Sequence, residues 1–399
     1  MSAPPDSEAG LDVGRTLCSQ SDPLSSSQNT AQSNTELVPN DHSRSNDSES
    51  ESTESESTES EDSIWDPDGK PSLPYKLGFE FTAFSREPPS PADIYDAIWV
   101  RSKNRHELTQ SQIKYCLAES VEDAQSGSQT KEGPCGISKK LHITSLIQVG
   151  SSCGAQVVGV DNDMVAKIFD PLYYEEYEEG WWKQDVVKRA RDDYVREAAA
   201  YDKLRASKTA AKITPKFYGA WSTTITTPID NGDTKDRTVR LILIQQLHGQ
   251  CIRNINPREL RKKVRSKALM KVLDAEAVLY EAGITHWNFR PQNIMINIPS
   301  GDDPDIKVHI VDFAQSKIVE LKGDRLSKLR NKYLGRICSP CVRFYRDMTM
   351  FSAYGWCSSK DMGAEKWLWR HYKTDERYFV VNWDPEHPSK APEYNLVEL

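Results

Sequence analysis

The chain has 399 residues, of which 37% are hydrophobic, enough for one large or two small domains with a substantial core. Its net charge of −8 is unevenly spread: residues 1–65 carry 14 acidic and 2 basic side chains, whereas the other 334 residues carry 45 acidic and 49 basic ones. A net charge of +4 over that larger part is too weak to indicate nucleic-acid binding, and we expect no nucleic-acid partner. Neither an apolar run of the ~20 residues needed for a membrane span nor a secretory signal is recognisable, so we expect a cytoplasmic or nuclear protein with no membrane partner.

Residues 1–65 are rich in Ser, Asn, Thr and Glu, and every residue from Asp47 to Asp62 is Asp, Glu, Ser or Thr. Because such a segment buries too little apolar surface to offset its ordering entropy, we predict a disordered acidic tail. Ser48, Thr53 and Thr58 each precede a Glu by three positions, the pattern that acid-directed kinases favour. The tail is therefore either phosphorylated at these residues or a solvating segment without a specific role.

The predicted elements begin in residues 66–139, an N-terminal extension to which we assign no role, with a helical pattern at Ile94, Tyr95, Ile98 and Trp99. From about residue 140 strands and helices alternate. Strands are predicted at 146–149, 156–160, 164–169, 239–244, 294–298 and 308–311, and helices at 185–204 and 259–280. This order predicts an α+β fold with an antiparallel sheet first and a more helical part after it.

The eight cysteines are scattered, and only Cys338 and Cys341 lie close together in the sequence. A zinc site needs a second Cys or His pair at matching spacing, and the sequence offers none. We therefore expect reduced thiols, with a metal or redox role of this pair as the minor alternative.

Three short motifs carry recognisable chemistry. Residues 286–293 read HWNFRPQN between a predicted helix and a predicted strand, residues 308–314 read VHIVDFA, and residues 165–167 read VAK inside a strand. In this order they match the catalytic loop, the metal-binding D-F-G and the lysine strand of protein kinases. Over residues 140–399 the sequence resembles the protein-kinase-like superfamily, and within it divergent fungal members, through residues 165–174, 214–219 and 367–369.

This resemblance implies a two-lobed protein-kinase-like fold that holds ATP and Mg²⁺ between a small antiparallel-sheet N-lobe, residues 140–247, and a reduced, mainly helical C-lobe, residues 248–399. Lys167 would bind the α- and β-phosphates, and Glu197 would pair with it, with Asp193 as the less favoured partner. Asp312 and Asn293 would hold Mg²⁺, an ion that prefers carboxylate and carbonyl oxygens.

The remaining nucleotide contacts fall on two loops. Gly150, Ser152 and Gly154 lie where the phosphate loop is expected, and small residues let backbone N–H groups approach a phosphate. Gln245 and Leu247 follow a strong strand, where the resemblance places the backbone groups that bind adenine.

Several positions depart from the kinase pattern. Asn288 replaces the Asp that accepts the proton of the substrate hydroxyl, and a neutral amide cannot act as a general base near pH 7. Trp287 replaces the Arg that would pair with a phosphorylated activation loop, and Ala314 replaces a Gly. The 87 residues after Asp312 are fewer than a full helical lobe needs. We expect His286 to brace the loop rather than to take part in chemistry.

These observations leave three functions open. The first is an ATP- and Mg²⁺-binding pseudokinase, or very weak kinase, that acts through a protein partner. The second is an active atypical phosphotransferase on protein Ser/Thr residues or on a small-molecule hydroxyl. The third is an interaction module that binds no nucleotide.

Overall fold

The structure is a computed structural model that describes residues 70–90, 111–118, 136–151, 153–178, 182–229, 232–318, 336–344, 347–358, 363–378, 381–382 and 393–394. All of them belong to one compact unit, Ser60–Leu399. The predicted acidic tail with Ser48, Thr53 and Thr58, the helical pattern at 94–99, and Ser152 lie outside the described residues.

The first half of the described chain is built mainly of strands. Its strands are β1 (Glu80–Arg86), β2 (Ser138–Gln148), β3 (Gln156–Val160), β4 (Met164–Phe169), β5 (Tyr177–Glu178), β6 (Trp182–Lys183), β7 (Phe217–Pro228) and β8 (Thr234–Gln245). Six of them form a closed antiparallel barrel in the order β1-β2-β3-β4-β8-β7, and β1 closes it by pairing with β7 as well as with β2. The short strands β5 and β6 pair with each other outside the barrel.

The second half is mainly helical, although it holds several short strands. The α-helices among the described residues are α1 (Gln112–Ala118), α2 (Val186–Arg205), α3 (Lys262–Glu281), α4 (Pro340–Arg343), α5 (Thr349–Ala353) and α6 (Gly363–Tyr372). The later strands are β9 (Gln250–Cys251), β10 (Ile284–Thr285), β11 (Ile294–Asn297), β12 (Lys307–Ile310), β13 (Lys317–Ile318), β14 (Val381–Asn382) and β15 (Glu393–Tyr394). Among the described residues, no helix is both long enough and apolar enough to cross a membrane.

Strand β4 decides where the functional side chains lie, because all six of its residues are buried and successive side chains point to opposite faces. Met164, Ala166 and Ile168 pack in one apolar cluster with Val158 of β3. The alternate residues Val165 and Phe169 pack in a second cluster that also holds residues of α2 and α3. Lys167 has the same parity as Val165, so the strand places it on the side of the helices.

Helix α2 packs on that second face. Its first turn is capped by Asp185, whose carboxylate accepts a hydrogen bond from the N–H of Lys188. Tyr194, Ala198 and Tyr201 share one buried face, and the Tyr194 ring meets Phe169 of β4 at 5.7 Å. This packing fixes the helix against the strand that carries Lys167.

The α+β class predicted from the sequence is confirmed. Two strands, Ser138–Gln148 and Thr234–Gln245, are longer than predicted, and α3 begins at Lys262 rather than at 259. The main difference is that the sheet is a closed barrel, because β1 joins it from the segment to which no role was assigned. Phe81 and Ala83 alternate with exposed Glu80 and Thr82 there, so the strand pattern was present in the sequence but was not interpreted.

Buried polar contacts fasten the segments that precede β2 to the turn that follows β4. Asp170 is fully buried and accepts hydrogen bonds from the Tyr75 hydroxyl at 2.7 Å and from the Arg237 guanidinium at 2.5 Å. The buried Gln112 amide of α1 donates to the carbonyls of Pro171, Leu172 and Tyr174. Residues 171–174 thus anchor α1 through their backbone carbonyls.

We expect Arg237→Met to lower the free energy of unfolding by about 3–5 kcal/mol, because it leaves the buried Asp170 carboxylate without its cationic partner. Urea denaturation would measure this loss. Arg253→Met is the control, since Arg253 is exposed and its replacement should change stability by no more than about 0.5 kcal/mol. Equal, small losses for both variants would contradict the anchoring role.

Candidate functional site

The candidate site is centred on one buried ammonium group. Lys167 is 9% exposed, and its Nζ lies 2.5 Å from Oε2 of Glu197 on α2 and 2.6 Å from Oδ1 of Asp312, which follows β12. The three residues come from segments far apart in the chain. The structure therefore brings together the lysine, its predicted helical partner and the predicted metal-binding aspartate.

Burial and charge shift the titration of this group of residues. Burial raises the pKa of Glu197 to about 7, against the lowering effect of Lys167. Burial also raises the pKa of Asp193, one helical turn earlier, to about 6. For Asp312 the opposite balance holds: burial favours the neutral acid, yet the Lys167 ammonium keeps the pKa of this carboxyl below its usual range.

The ammonium group itself stays charged. Burial alone would lower the pKa of Lys167, but the carboxylates of Asp312 and Glu197 raise it above the usual value. Asp193 also contributes negative charge, although its nearest described cation is the guanidinium of Arg196 at 3.9 Å. Two carboxyl groups thus contact the ammonium, and Asp193 interacts with it only through its charge.

The loop at 286–293 is held by its own backbone and by its neighbour at 308–312. Asn293 donates from its side-chain amide to the carbonyl of Asn288 at 2.9 Å and accepts from the N–H of Val311 at 3.0 Å through its own carbonyl. His286 donates from Nε2 to the carbonyl of Val311 at 3.0 Å, and burial lowers its pKa, so the ring is neutral. His286 therefore ties the loop to the residue that precedes Asp312.

Asn288 faces the site but carries no titratable group. Its amide nitrogen lies 3.5 Å from Oδ2 of Asp312, at the limit of a hydrogen bond. The adjacent Trp287 side chain is 69% exposed, and the Lys317 ammonium lies 5.9 Å from its ring. At this position the chain can orient a hydroxyl group but cannot remove its proton.

A column of aromatic rings links the barrel to this loop. Phe217 of β7 stacks on Tyr201 of α2 at 5.7 Å, Tyr201 meets Phe313 at 5.0 Å, and Phe313 meets His286 at 5.0 Å. Phe313 is fully buried, while Asp312 beside it has a left-handed backbone with φ of 66°. The column fixes the residue next to Asp312 and so restrains the direction of its carboxylate.

The predicted phosphate loop joins β2 and β3. Gly154 has φ of +67°, a conformation that a side chain would strain, and Ala155 is buried in the core. Val157, two residues later, pairs with Lys167 across the sheet. Gly150 and Gly154 therefore precede β3, the strand that pairs with β4 beside Lys167. Ser152 falls outside the described residues.

Gln245 and Leu247 lie where the barrel passes into the helical part. Gln245 is the last residue of β8 and pairs with Met164, three residues along β4 from Lys167, a distance of about 10 Å. Its N–H donates to Lys216 and that of Gln246 to Asp163. Leu247 is half-buried just beyond the strand.

The oxygen donors present fit Mg²⁺ only in part. Asp312 offers carboxylate oxygens, and Asn293 keeps its amide oxygen because its amide nitrogen is already bonded. Among the described residues, no group of three or more His, Cys, Asp or Glu side chains is placed to hold a metal ion. Asp312 and Asn293 could therefore supply only one or two of the ligands of a Mg²⁺ ion, and phosphate oxygens and water would have to supply the others.

The cysteine pair lies away from this site. Cys338 and Cys341 are buried and not disulfide-bonded, and burial raises the pKa of the Cys341 thiol to about 11. A thiol with so high a pKa is a poor nucleophile and a poor metal ligand at neutral pH.

Sequence reasoning missed two parts of the arrangement. The aromatic column depends on contacts among four distant residues, which no local pattern shows. Gln156, a buried amide at the start of β3, bonds to both Gly150 and Gly154. A Gln at the head of a run of valines was the one available signal.

Comparisons with known proteins add little. The chain matches no protein-family model and no curated protein. It is similar to the crystal structure of WbdD with a TM-score of 0.30 and 15% identity, over 49% of this chain and 37% of that chain. The chain thus spans little more than a third of WbdD, and a likeness at this level supports no conclusion about function.

We expect Glu197→Gln to change the pH dependence of stability. Because the folded pKa of about 7 exceeds the usual 4.5, the proton on Glu197 stabilises the fold fully below pH 4.5, and this contribution is lost as the pH rises to about 7. The Gln side chain of the variant does not titrate, so the variant does not lose this stability as the pH rises. Its stability relative to the wild type should therefore rise by on the order of 3 kcal/mol across this window.

Urea denaturation at several pH values between 4.5 and 7.5 would measure the difference. Glu175→Gln serves as the control, since Glu175 is exposed and its replacement should give no pH-dependent difference in this window. A Glu197→Gln variant whose stability tracks the wild type at every pH would show that Glu197 is already ionised throughout.

Proposed function

We propose that this chain is a protein-kinase-like protein with a two-lobed fold that binds ATP and Mg²⁺ between the barrel and the helical part. We further propose that it is a pseudokinase or a very weak kinase. The observation that carries this proposal is that Glu197 of α2 and Asp312, which follows β12, both contact the ammonium group of Lys167 on β4.

Each residue has a definite role in this proposal. Glu197 keeps Lys167 in place, Asp312 would hold Mg²⁺, and the Lys167 ammonium would bind the α- and β-phosphates. Asn293 supplies a second oxygen ligand. Bound Mg²⁺ neutralises phosphate charge. Gln245 and Leu247 would then contact adenine, since Gln245 lies about 10 Å from Lys167 along β4 and β8.

The low activity follows from Asn288. In phosphoryl transfer the acceptor hydroxyl oxygen bonds to the γ-phosphorus, the bond from that phosphorus to the β–γ bridging oxygen breaks, and ADP leaves. The hydroxyl proton must go to a base. The Asn288 amide cannot take it, so the proton passes to water, and the chain forgoes the ~10²–10⁴-fold benefit of a general base.

One observation favours the second candidate, an active atypical phosphotransferase on protein Ser/Thr or a small-molecule hydroxyl. The Lys167–Glu197 ion pair and the aromatic column that ends at His286 are both formed. An active enzyme with Asn288 at this position would need a proton acceptor supplied by the substrate or by water. A third possibility, an interaction module without nucleotide, remains an outcome of the tests below.

We expect the full chain to bind ATP in the presence of Mg²⁺, and Lys167→Met and Asp312→Asn each to weaken binding by roughly 10- to 100-fold, because each removes a charge-assisted contact. Isothermal titration calorimetry with and without Mg²⁺ would measure the affinities. Lys208→Met is the control, since Lys208 is exposed and remote in sequence from the site. Failure of the wild type to bind millimolar ATP would leave only the interaction module.

We expect Asn288→Asp to raise phosphoryl transfer by roughly 10²- to 10⁴-fold, since it restores a carboxylate that can accept the hydroxyl proton. ADP release on a panel of protein and small-molecule hydroxyl acceptors would measure the rate. Combining the change with Asp312→Asn should abolish the gain. A rate that stays at the wild-type level on every acceptor would argue against any latent kinase chemistry.

A further inference from the structure

Gln156 is a buried amide on the face of β3 that points away from the candidate site. It is 0% exposed and has the same parity along the strand as Val158 and Val160, which pack in the barrel cluster. The alternate residue Val157 packs with the cluster on the helix side and pairs with Lys167. Gln156 therefore lies behind the loop that we propose for phosphate binding.

Its side chain binds both ends of that loop. The amide oxygen accepts from the N–H of Gly150 at 2.8 Å, and the amide nitrogen donates to the carbonyl of Gly150 at 2.8 Å and to that of Gly154 at 3.3 Å. The assignment of the two amide atoms follows from the partners, because the carbonyls need a donor and the N–H needs an acceptor. Every polar atom of this buried amide is thus used on the loop.

The bonds fix two positions that would otherwise be the freest in the loop. Glycine has more backbone freedom than any other residue, and ordering it costs correspondingly more entropy. One amide holds Gly150 by both of its backbone polar groups and Gly154 by its carbonyl. Gly154 has a left-handed backbone with φ of +67°, which glycine adopts without strain.

We propose that Gln156 is a positioning residue for phosphate recognition, which holds Gly150 and Gly154 at a fixed separation so that a nucleotide need not order them. This inference rests on the proposed function, since it assumes that ATP phosphates bind at this loop. Gln156 contacts the loop from behind and does not touch the nucleotide. Its effect therefore falls on the phosphates and spares adenine and ribose.

The test compares two buried glutamines. Gln156→Met keeps the length of the side chain and removes all three hydrogen bonds. Gln112→Met is the matched control, because the buried Gln112 amide also donates to three carbonyls, yet these belong to residues 171–174 outside the loop. Affinities of the full-length proteins for ATP with Mg²⁺ and for adenosine would be measured by calorimetry.

We expect Gln156→Met to weaken ATP binding roughly 10- to 100-fold while adenosine binding changes less than about twofold. Gln112→Met should change neither the affinity for ATP nor the affinity for adenosine, although it loses as many hydrogen bonds. The proposal is overturned by an unchanged ATP affinity, by equal losses for ATP and adenosine, or by the same selectivity change in Gln112→Met.

Amide hydrogen exchange separates this proposal from the function on which it rests. In the wild type without nucleotide the Gly150 N–H should exchange slowly, and in Gln156→Met, which removes the oxygen that accepts from it, it should exchange at least about tenfold faster. Fast exchange of this amide in the wild type overturns the positioning role. If the Gly150 N–H of the wild type is protected but the protein binds neither ATP nor adenosine, the proposed function and the role of Gln156 in phosphate recognition are both refuted. The hydrogen bonds from Gln156 to Gly150 would still be established.

Discussion

The arrangement of this protein depends on one buried cation. An ammonium at the position of Lys167 is stable away from water only if anionic partners compensate it, and those partners come from two elements outside its own sheet. The ion pairs therefore constrain tertiary structure: α2 must present Glu197 and the residues after β12 must present Asp312. Removing either carboxylate leaves the cation undercompensated, while removing the cation leaves two or three carboxyl groups in one low-dielectric space.

The apolar contacts around the cation make the same connection by other means. The ring column from Phe217 to His286 joins the barrel, α2, the residue after Asp312 and the loop at 286–293. Charge attraction and ring packing thus both join the barrel, α2 and the residues after β12, and the ring column extends the connection to the loop at 286–293. Because the two kinds of contact are independent, a displacement of α2 would break both an ion pair and a ring contact.

Three residues that the sequence singled out, Lys167, Glu197 and Asp312, lie together in the structure, whereas the closed barrel was not predicted. Lys167, Asn293 and Asp312 stand in short motifs, so their roles could be proposed without knowledge of tertiary contacts. Glu197 was proposed from the same resemblance, as a carboxylate on the helix that follows the lysine strand. The closure of the barrel by Glu80–Arg86 could not be predicted, because pairing with β7 joins residues more than 130 positions apart. Gln156 was missed for a similar reason: its value lies in where its amide meets Gly150, and a strand pattern shows only that it interrupts a run of valines.

Closure of the barrel also limits how other chains could associate with it. An open sheet presents a row of unpaired N–H and C=O groups to which a peptide or a second sheet can add a strand. Here β1 pairs with both β2 and β7, so the six strands form a ring without a terminal strand. The closed ring therefore offers no terminal strand for such addition, and a partner that packs on the barrel would be selected by its outward-facing side chains.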